Sequence, residues 1–186
     1  SKGIEVEYDI CIFATGSKAF VLPIPGSNLP SVIGWRTIDD TNKMIEIAQT
    51  KKRAVVIGGG LLGLECARGL LDQGMEVTVL HLADWLMEMQ LDRKAGEMLK
   101  ADLEKQGMKI ELQANSKEII GDKDVEAIKL ADGRVIETDL VVMAVGIRPY
   151  TEVAKDSGLD VNRGIVVNDY MQTSDSHIYA VGECAE

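Results

Sequence analysis

The chain has 186 residues, 46% hydrophobic and 27% charged, which suits one ample core or two small lobes rather than a disordered tail. Acidic residues outnumber basic ones 30 to 20, giving a net charge of −10, and aromatics make up only 4%, a balance that argues against a general nucleic-acid binder. No apolar run has membrane-spanning length, no signal-peptide pattern opens the chain, and Cys11, Cys66 and Cys184 lie far apart with no CxxC, so the cytoplasm is the expected compartment and no disulfide or metal site is spelled out.

The chain opens Ser1-Lys2-Gly3 without an initiator Met and stops at Glu186 just after a strand-like run at 178–181. Both ends read as cut, so an internal piece of a longer protein is expected. Residues 8–13 form an apolar run without alternation, which suits a strand covered on both faces. The prolines of Leu22-Pro23-Ile24-Pro25-Gly26 force an extended connection. Thr37 with Asp40 three residues on reads as a capping box for a helix to about Thr50, with Ile38, Met44, Ile45 and Ile47 available for its buried side.

Residues 53–57 then form a short β-branched strand, 58–63 a glycine-rich turn, and 64–71 a helix with Gly74 just past its end. A second strand spans 75–80. A second helix covers roughly 92–106, placing Ala95, Met98, Leu99 and Leu103 on one side, and a third strand covers 109–112. That β-α-β-α-β order is the mononucleotide-binding unit. From 116 to 138 helical pattern disappears, and short strands at 119–120, 125–130 and 135–136 read as an antiparallel meander. Residues 140–145 return to a continuous apolar strand. Asp9-Ile10-Cys11-Ile12-Phe13-Ala14-Thr15-Gly16 and Asp139-Leu140-Val141-Val142-Met143-Ala144-Val145-Gly146 share one form. They are either two ordinary buried strands or the closing strands of two equivalent nucleotide-binding domains.

The strongest signal is GxGxxG at Gly58, Gly60 and Gly63, with Gly59, Leu61 and Leu62 between, directly after a strand and opening a helix. Gly58 permits the tight turn, Gly60 lets a pyrophosphate approach backbone amides at the helix N-terminus, and Gly63 permits close packing on the sheet. His81 lies 81 − 58 = 23 residues after Gly58, where an NAD site ordinarily has Asp or Glu for the ribose 2′-hydroxyl. Either His81 takes that place, with Asp84 as the nearest carboxylate able to substitute, or it is a polar strand-end residue facing solvent. No Lys or Arg follows until Arg93, so no 2′-phosphate clamp is evident and NADH is favoured over NADPH.

Five motifs, in order, resemble the pyridine nucleotide–disulfide oxidoreductase superfamily. They are Tyr8-Asp9 through Ala14-Thr15-Gly16-Ser17, then Pro23-Ile24-Pro25-Gly26, the GxGxxG unit, Gly146-Ile147-Arg148-Pro149, and Ile178-Tyr179-Ala180-Val181-Gly182-Glu183-Cys184-Ala185. Within it, Gly60 through Glu65, the run Met87-Glu88-Met89-Gln90-Leu91-Asp92 and the Gly182-Glu183-Cys184-Ala185 ending are similar to the nitrite reductase large-subunit branch.

The resemblance implies an α/β fold: a Rossmann-like NAD(P)H-binding domain at 36–146, with parallel sheet and meander. It would be flanked at 1–35 and 147–186 by remnants of an FAD-binding domain. It implies that Ala14, Thr15 and Gly16 lie against FAD, and that Gly182 and Glu183 approach the flavin's ribityl–phosphate part, where Asp is usual. Gly146 would lie near the bound dinucleotide. Glu65 would lie near the nicotinamide, the alternative being a solvent-facing helix carboxylate. The implied activity is hydride transfer from NADH to FAD in a longer flavoprotein, with electrons passing on to further redox centres or an acceptor protein. The alternatives are a rubredoxin- or ferredoxin-type reductase and a non-catalytic NAD(H)-sensing module. A homodimer is left open, no catalytic side chain is assigned, and neither a metal site, a membrane nor nucleic acid is among the expected partners.

Overall fold

The computed structural model describes residues 3–186. These divide into two compact units: residues up to Lys18 together with Ile147–Glu186, and Ala19–Gly146.

The first unit opens with β1 (Cys11–Phe13), followed by β2 (Ser17–Ala19), which runs across the division. The second unit contains a five-stranded, all-parallel sheet. Its chain order is β3 (Val32–Gly34), α1 (Ile38–Ala48), β4 (Arg53–Ile57), α2 (Leu61–Asp72), β5 (Glu76–Leu80), α3 (Arg93–Lys105) and β6 (Lys109–Glu111). A separate antiparallel meander follows, β7 (Ser116–Ile120), β8 (Ala127–Leu130) and β9 (Val135–Glu137), and then β10 (Leu140–Met143). The sheet order is β3-β10-β4-β5-β6, with Val56 of β4 opposite Val142 on one side and Val79 on the other. β10 is therefore inserted between β3 and β4, about a hundred residues from them in sequence.

The uninterrupted apolar strands are buried on both faces, as parallel strands flanked by two layers must be. Ala54, Val56, Leu140 and Val142 point to the layer with Met44, Leu64, Ala67 and Leu70 of the helices. Val55, Ile57, Val141 and Met143 point to the opposite layer, with Ile119, Ile128 and Leu130 of the meander and Leu22, Ile24 and Leu29 of the incoming segment. Those incoming residues, with β3 paired to β10, are why the division falls at Lys18/Ala19 instead of the expected boundary near residue 35.

Local signals set several ends. Thr37 and Asp40 form the reciprocal capping box at α1, with Thr37 N–H donating to Asp40 Oδ2 at 2.7 Å and Asp40 N–H to Thr37 Oγ1 at 3.2 Å. Gly74 follows α2 at φ +85°, where a residue with a Cβ is disfavoured. The helix faces depart in part from the sequence pattern. Of the four α1 candidates Met44 is fully buried and Ile47 packs on the core, whereas Ile38 is 79% exposed and Ile45 38%. On α3, Met98 is 67% exposed, because Gly96 is the residue that faces in: a Cβ there would stand 2.5 Å from Trp85 Cδ1. The helix packs too closely at that point for its apolar stripe to be centred elsewhere.

The first unit closes with β11 (Ile147–Pro149), which pairs with β2, then α4 (Glu152–Asp156) and β12 (Ile178–Ala180), parallel to β1. Cys11 and Phe13 pack with Ile165, Ile178, Ala180 and Cys184, whereas Ile10 and Ile12 are about 60% exposed. β1 therefore alternates, contrary to the expectation of a strand covered on both faces: only one of its faces meets other residues of the unit. No helix among the described residues is long and apolar enough to cross a membrane.

Candidate functional site

A cleft of about 590 Å³ opens in the second unit at the carboxyl ends of β4, β5 and β10. The chain leaves β4 for β5 on one side, while β10 pairs on the other, so the cleft lies at the point where the strand order reverses, the usual ligand position in such sheets.

The glycine turn forms one wall. Gly58 adopts φ +120°, donates its N–H to Leu80 O at 2.8 Å, and sits so close to β10 that a Cβ would lie 2.3 Å from Ala144 O. Gly63 presses α2 onto the turn: a Cβ there would be 1.9 Å from Gly58 O. Gly60 differs, since a Cβ on it would meet nothing within 4 Å. It is the extended N-cap of α2 and offers no side-chain cap, so the first-turn N–H groups of the helix are left for another partner. Together with the helix dipole, that makes an anion-accepting wall. Leu61 joins the lining of the cleft, and Leu62 is half exposed outside it.

Gly59 has a different task. Its N–H donates to His81 Nδ1 at 3.0 Å, and its carbonyl accepts from Met87 N–H at 3.0 Å. A Cβ on Gly59 would come within 2.7 Å of both Leu86 and His81. His81 is therefore buried, at 7% exposure, and does not face solvent as a strand-end residue. Because Nδ1 accepts, the ring proton resides on Nε2, which donates to Glu88 Oε2 at 2.9 Å. Both ring nitrogens are engaged within the protein. His81 thus has no free ring nitrogen to offer a ribose directly.

Sequence reasoning missed the opposite wall. Phe20, Leu22 and Ile24 line it from the Pro-rich connection, Asn115 and Ser116 from beyond β6, and Glu88 from the loop after β5. Glu88 stands within the run Met87 to Asp92, but only as part of a motif, with nothing local to show that the loop folds back onto Gly59. Among the described residues it is the one Asp, Glu, Lys or Arg side chain lining the cleft. Ser116 Oγ is, among the described residues, the one buried side-chain polar atom without a hydrogen-bond partner.

Other expected residues lie elsewhere. Glu65 is exposed on α2 and lines a separate groove of about 150 Å³ beside Trp35 and Ile45. Gly146, at φ +106°, follows the cleft residues Ala144 and Val145 and accepts from Phe20 N–H at 2.9 Å. Asp84 is tied to Gln113 at 2.7 Å and Arg93 at 3.0 Å. Gln113, desolvation and Arg93 act on its carboxyl in that order, and the net effect holds it below its ordinary value.

In the first unit the parallel pairing of β1 with β12 brings Ala14, Thr15 and Gly16 beside Gly182 and Glu183 at one end of the two strands, with Val181 N–H donating to Phe13 O at 2.9 Å. Thr15 Oγ1 donates to Tyr150 O at 2.8 Å and Ser17 Oγ to Glu183 Oε2 at 3.0 Å. Gly16 and Gly182 both adopt positive φ, with nothing within 4 Å of where a Cβ would stand.

An anion-accepting glycine turn at the switch point of a parallel sheet, bordered by a ligand-sized cleft with an apolar wall, defines an α/β dinucleotide-binding protein. The chain belongs to the pyridine nucleotide-disulphide oxidoreductase family, whose model matches residues 1–186. It is 59% identical over 179 residues to the nitrite reductase [NAD(P)H] of Bacillus subtilis (strain 168), covering 96% of this chain and 22% of that protein. It is 44% identical to the nitrite reductase (NADH) large subunit of Escherichia coli (strain K12), covering 100% of this chain and 22% of the relative. The crystal structure of a ferredoxin reductase from Rhodopseudomonas palustris superposes with a TM-score of 0.92 at 34% identity, over 97% of this chain and 45% of the other. The chain thus spans less than a quarter of the two curated relatives' length and under half of the solved one.

Proposed function

We propose that this chain is the NAD(P)H-binding part of a flavoprotein oxidoreductase, with pieces of the FAD-binding part on either side, within a cytoplasmic nitrite reductase large subunit. Ala19–Gly146 would bind the nicotinamide dinucleotide, and residues up to Lys18 with Ile147–Glu186 would belong to the FAD-binding part. The observation that carries the reading is the contrast within the glycine turn. Gly58 and Gly63 are filled by backbone, and Gly60 alone faces open space at an uncapped helix N-terminus. A pyrophosphate fits the space that the missing Cβ of Gly60 leaves open.

When bound, the nicotinamide supplies the hydride and the flavin accepts it. The chain's own residues do the rest. The first-turn N–H groups of α2 hold the diphosphate, and the Gly58 and Gly63 contacts keep that turn rigid. Leu22, Ile24, Ile57 and Leu80 supply an apolar wall that excludes water from the bound nucleotide. The identity to nitrite reductases supports nitrite as the final acceptor.

The test is the full-length parent. Purified aerobically it should carry a flavin spectrum that bleaches when NADH is added without oxygen, and it should oxidise NADH in a nitrite-dependent manner. A parent that binds NADH with no flavin, or that passes electrons to a ferredoxin-type carrier and never to nitrite, would overturn the proposal.

A further inference from the structure

We infer that Glu88 is the residue that reads the adenosine ribose in this cleft, and that His81 is its positioning residue. The inference deepens the nucleotide-binding reading above and rests on it.

β5 ends at Leu80, and the next residue stands where a carboxylate ordinarily accepts from the ribose 2′-hydroxyl. Here that residue is a buried imidazole whose two nitrogens are spent on Gly59 and Glu88. The chain instead returns a carboxylate from seven residues further on. Met87 N–H bonds to Gly59 O, and the N–H groups of Gln90 and Leu91 both donate to Met87 O at 2.8 Å, closing a turn that holds Glu88 against the glycine loop. Met87 itself adopts φ +57°, a left-handed conformation that a non-glycine residue keeps only where its surroundings impose it.

Glu88 is thereby held by one oxygen and presented by the other. Oε2 accepts from His81 Nε2–H, no described residue donates to Oε1, and the side chain is 35% exposed on the cleft wall. The competing carboxylate, Asp84, is committed to Gln113 and Arg93 and is not part of that wall. No Lys or Arg among the described residues lines the cleft. A ribose 2′-hydroxyl would therefore find an acceptor, and a 2′-phosphate would find an uncompensated negative charge. The Gly59–His81–Glu88 chain of hydrogen bonds makes the cleft selective for NADH over NADPH.

The experiment is calorimetric titration of this chain with NADH and with NADPH. The proteins are the wild type, Glu88→Gln, His81→Leu, the double variant, and Gly60→Val as the control for the cleft. The wild type should favour NADH by about tenfold or more. Glu88→Gln should weaken NADH and relieve NADPH, narrowing the ratio by about fivefold or more, since a hydrogen bond to a charged acceptor and a like-charge repulsion are both removed. His81→Leu should narrow the ratio in the wild-type background and leave it unmoved in the Glu88→Gln background. A purely structural histidine would change both nucleotides equally in either background.

If Gly60→Val leaves NADH affinity intact, the nucleotide-binding reading itself fails. If Gly60→Val abolishes binding and Glu88→Gln leaves the ratio unchanged, the cleft stands and the assignment of Glu88 is overturned. Should His81→Leu not fold, Glu88→Gln on the exposed rim decides alone.

Discussion

Two substitutions in the same glycine turn, Gly60→Val and Gly63→Ala, should separate binding from stability. At Gly63 the added Cβ would stand 1.9 Å from Gly58 O and 2.9 Å from Gly58 C, both backbone atoms that no rotamer change can move aside. Restoring an ordinary separation of about 3.5 Å would lift α2 off the turn by roughly 1.5 Å. Overpacking of that kind costs about 1–3 kcal/mol or more, of which the better helix propensity of Ala returns up to about 1 kcal/mol. Because both clashing atoms are backbone the cost lies at the upper end of that range, and the net loss of about 2 kcal/mol corresponds to a fall in melting temperature of roughly 4–8 °C for a chain of this size. At Gly60 the backbone is already extended, at φ −86° and ψ −177°, and the space is open. Valine there costs about 1 kcal/mol at most, as a poorer N-cap, yet its methyl groups occupy the volume a diphosphate needs. Circular-dichroism melting and NADH titration of both variants read the two quantities separately. Gly60→Val should bind NADH at least about tenfold more weakly with its melt little changed. Wild-type affinity in Gly60→Val, or a wild-type melt in Gly63→Ala, would refute the reasoning.

Asp124 offers a pH-dependent test. Burial alone would raise its carboxyl, but the Ser31 and Val125 N–H groups, at 3.2 and 2.8 Å, and Lys51 Nζ at 3.1 Å hold it at about 2 against an ordinary 3.8. A depressed native value contributes stability above pH 4 that is lost as pH falls from about 4 through 2. Asp124→Asn should therefore be less stable by about 1 kcal/mol at pH 7, allowing for solvent screening of a carboxylate 34% exposed, and should converge on the wild type as pH falls through and below about 2. Denaturant titrations at a series of pH values check this, and a difference that does not shrink between pH 4 and pH 2 would contradict it. Cys66, 3% exposed and pushed by burial up to about 12, should resist iodoacetamide at pH 8 while half-buried Cys11 is alkylated, until denaturant exposes it. Peptide mass spectrometry after timed labelling reads the two sites, and equal rates in the folded protein would be the contrary result.

The sequence by itself determined those features whose causes act over a few residues. The β-branched run at 53–57 and the apolar run at 140–145 read as strands, Thr37 with Asp40 read as a helix start, and Gly58-x-Gly60-x-x-Gly63 between strand and helix marked the turn at which a nucleotide would be held. Tertiary structure decided what depends on residues distant along the chain. β10 reaches β4 and β3 across about a hundred residues, and that pairing creates the reversal of strand order where the cleft opens. The inward face of α3 was set by Gly96 against Trp85, which the periodicity of Met98 and Leu99 could not reveal. Periodicity reports which residues are apolar; which of them are buried depends on how near the neighbouring element lies. His81 shows the same divide most sharply. Its place after β5 was legible by counting, but its role depends on Met87 returning to bond Gly59, which buries the imidazole, engages both its nitrogens and places Glu88 on the cleft wall.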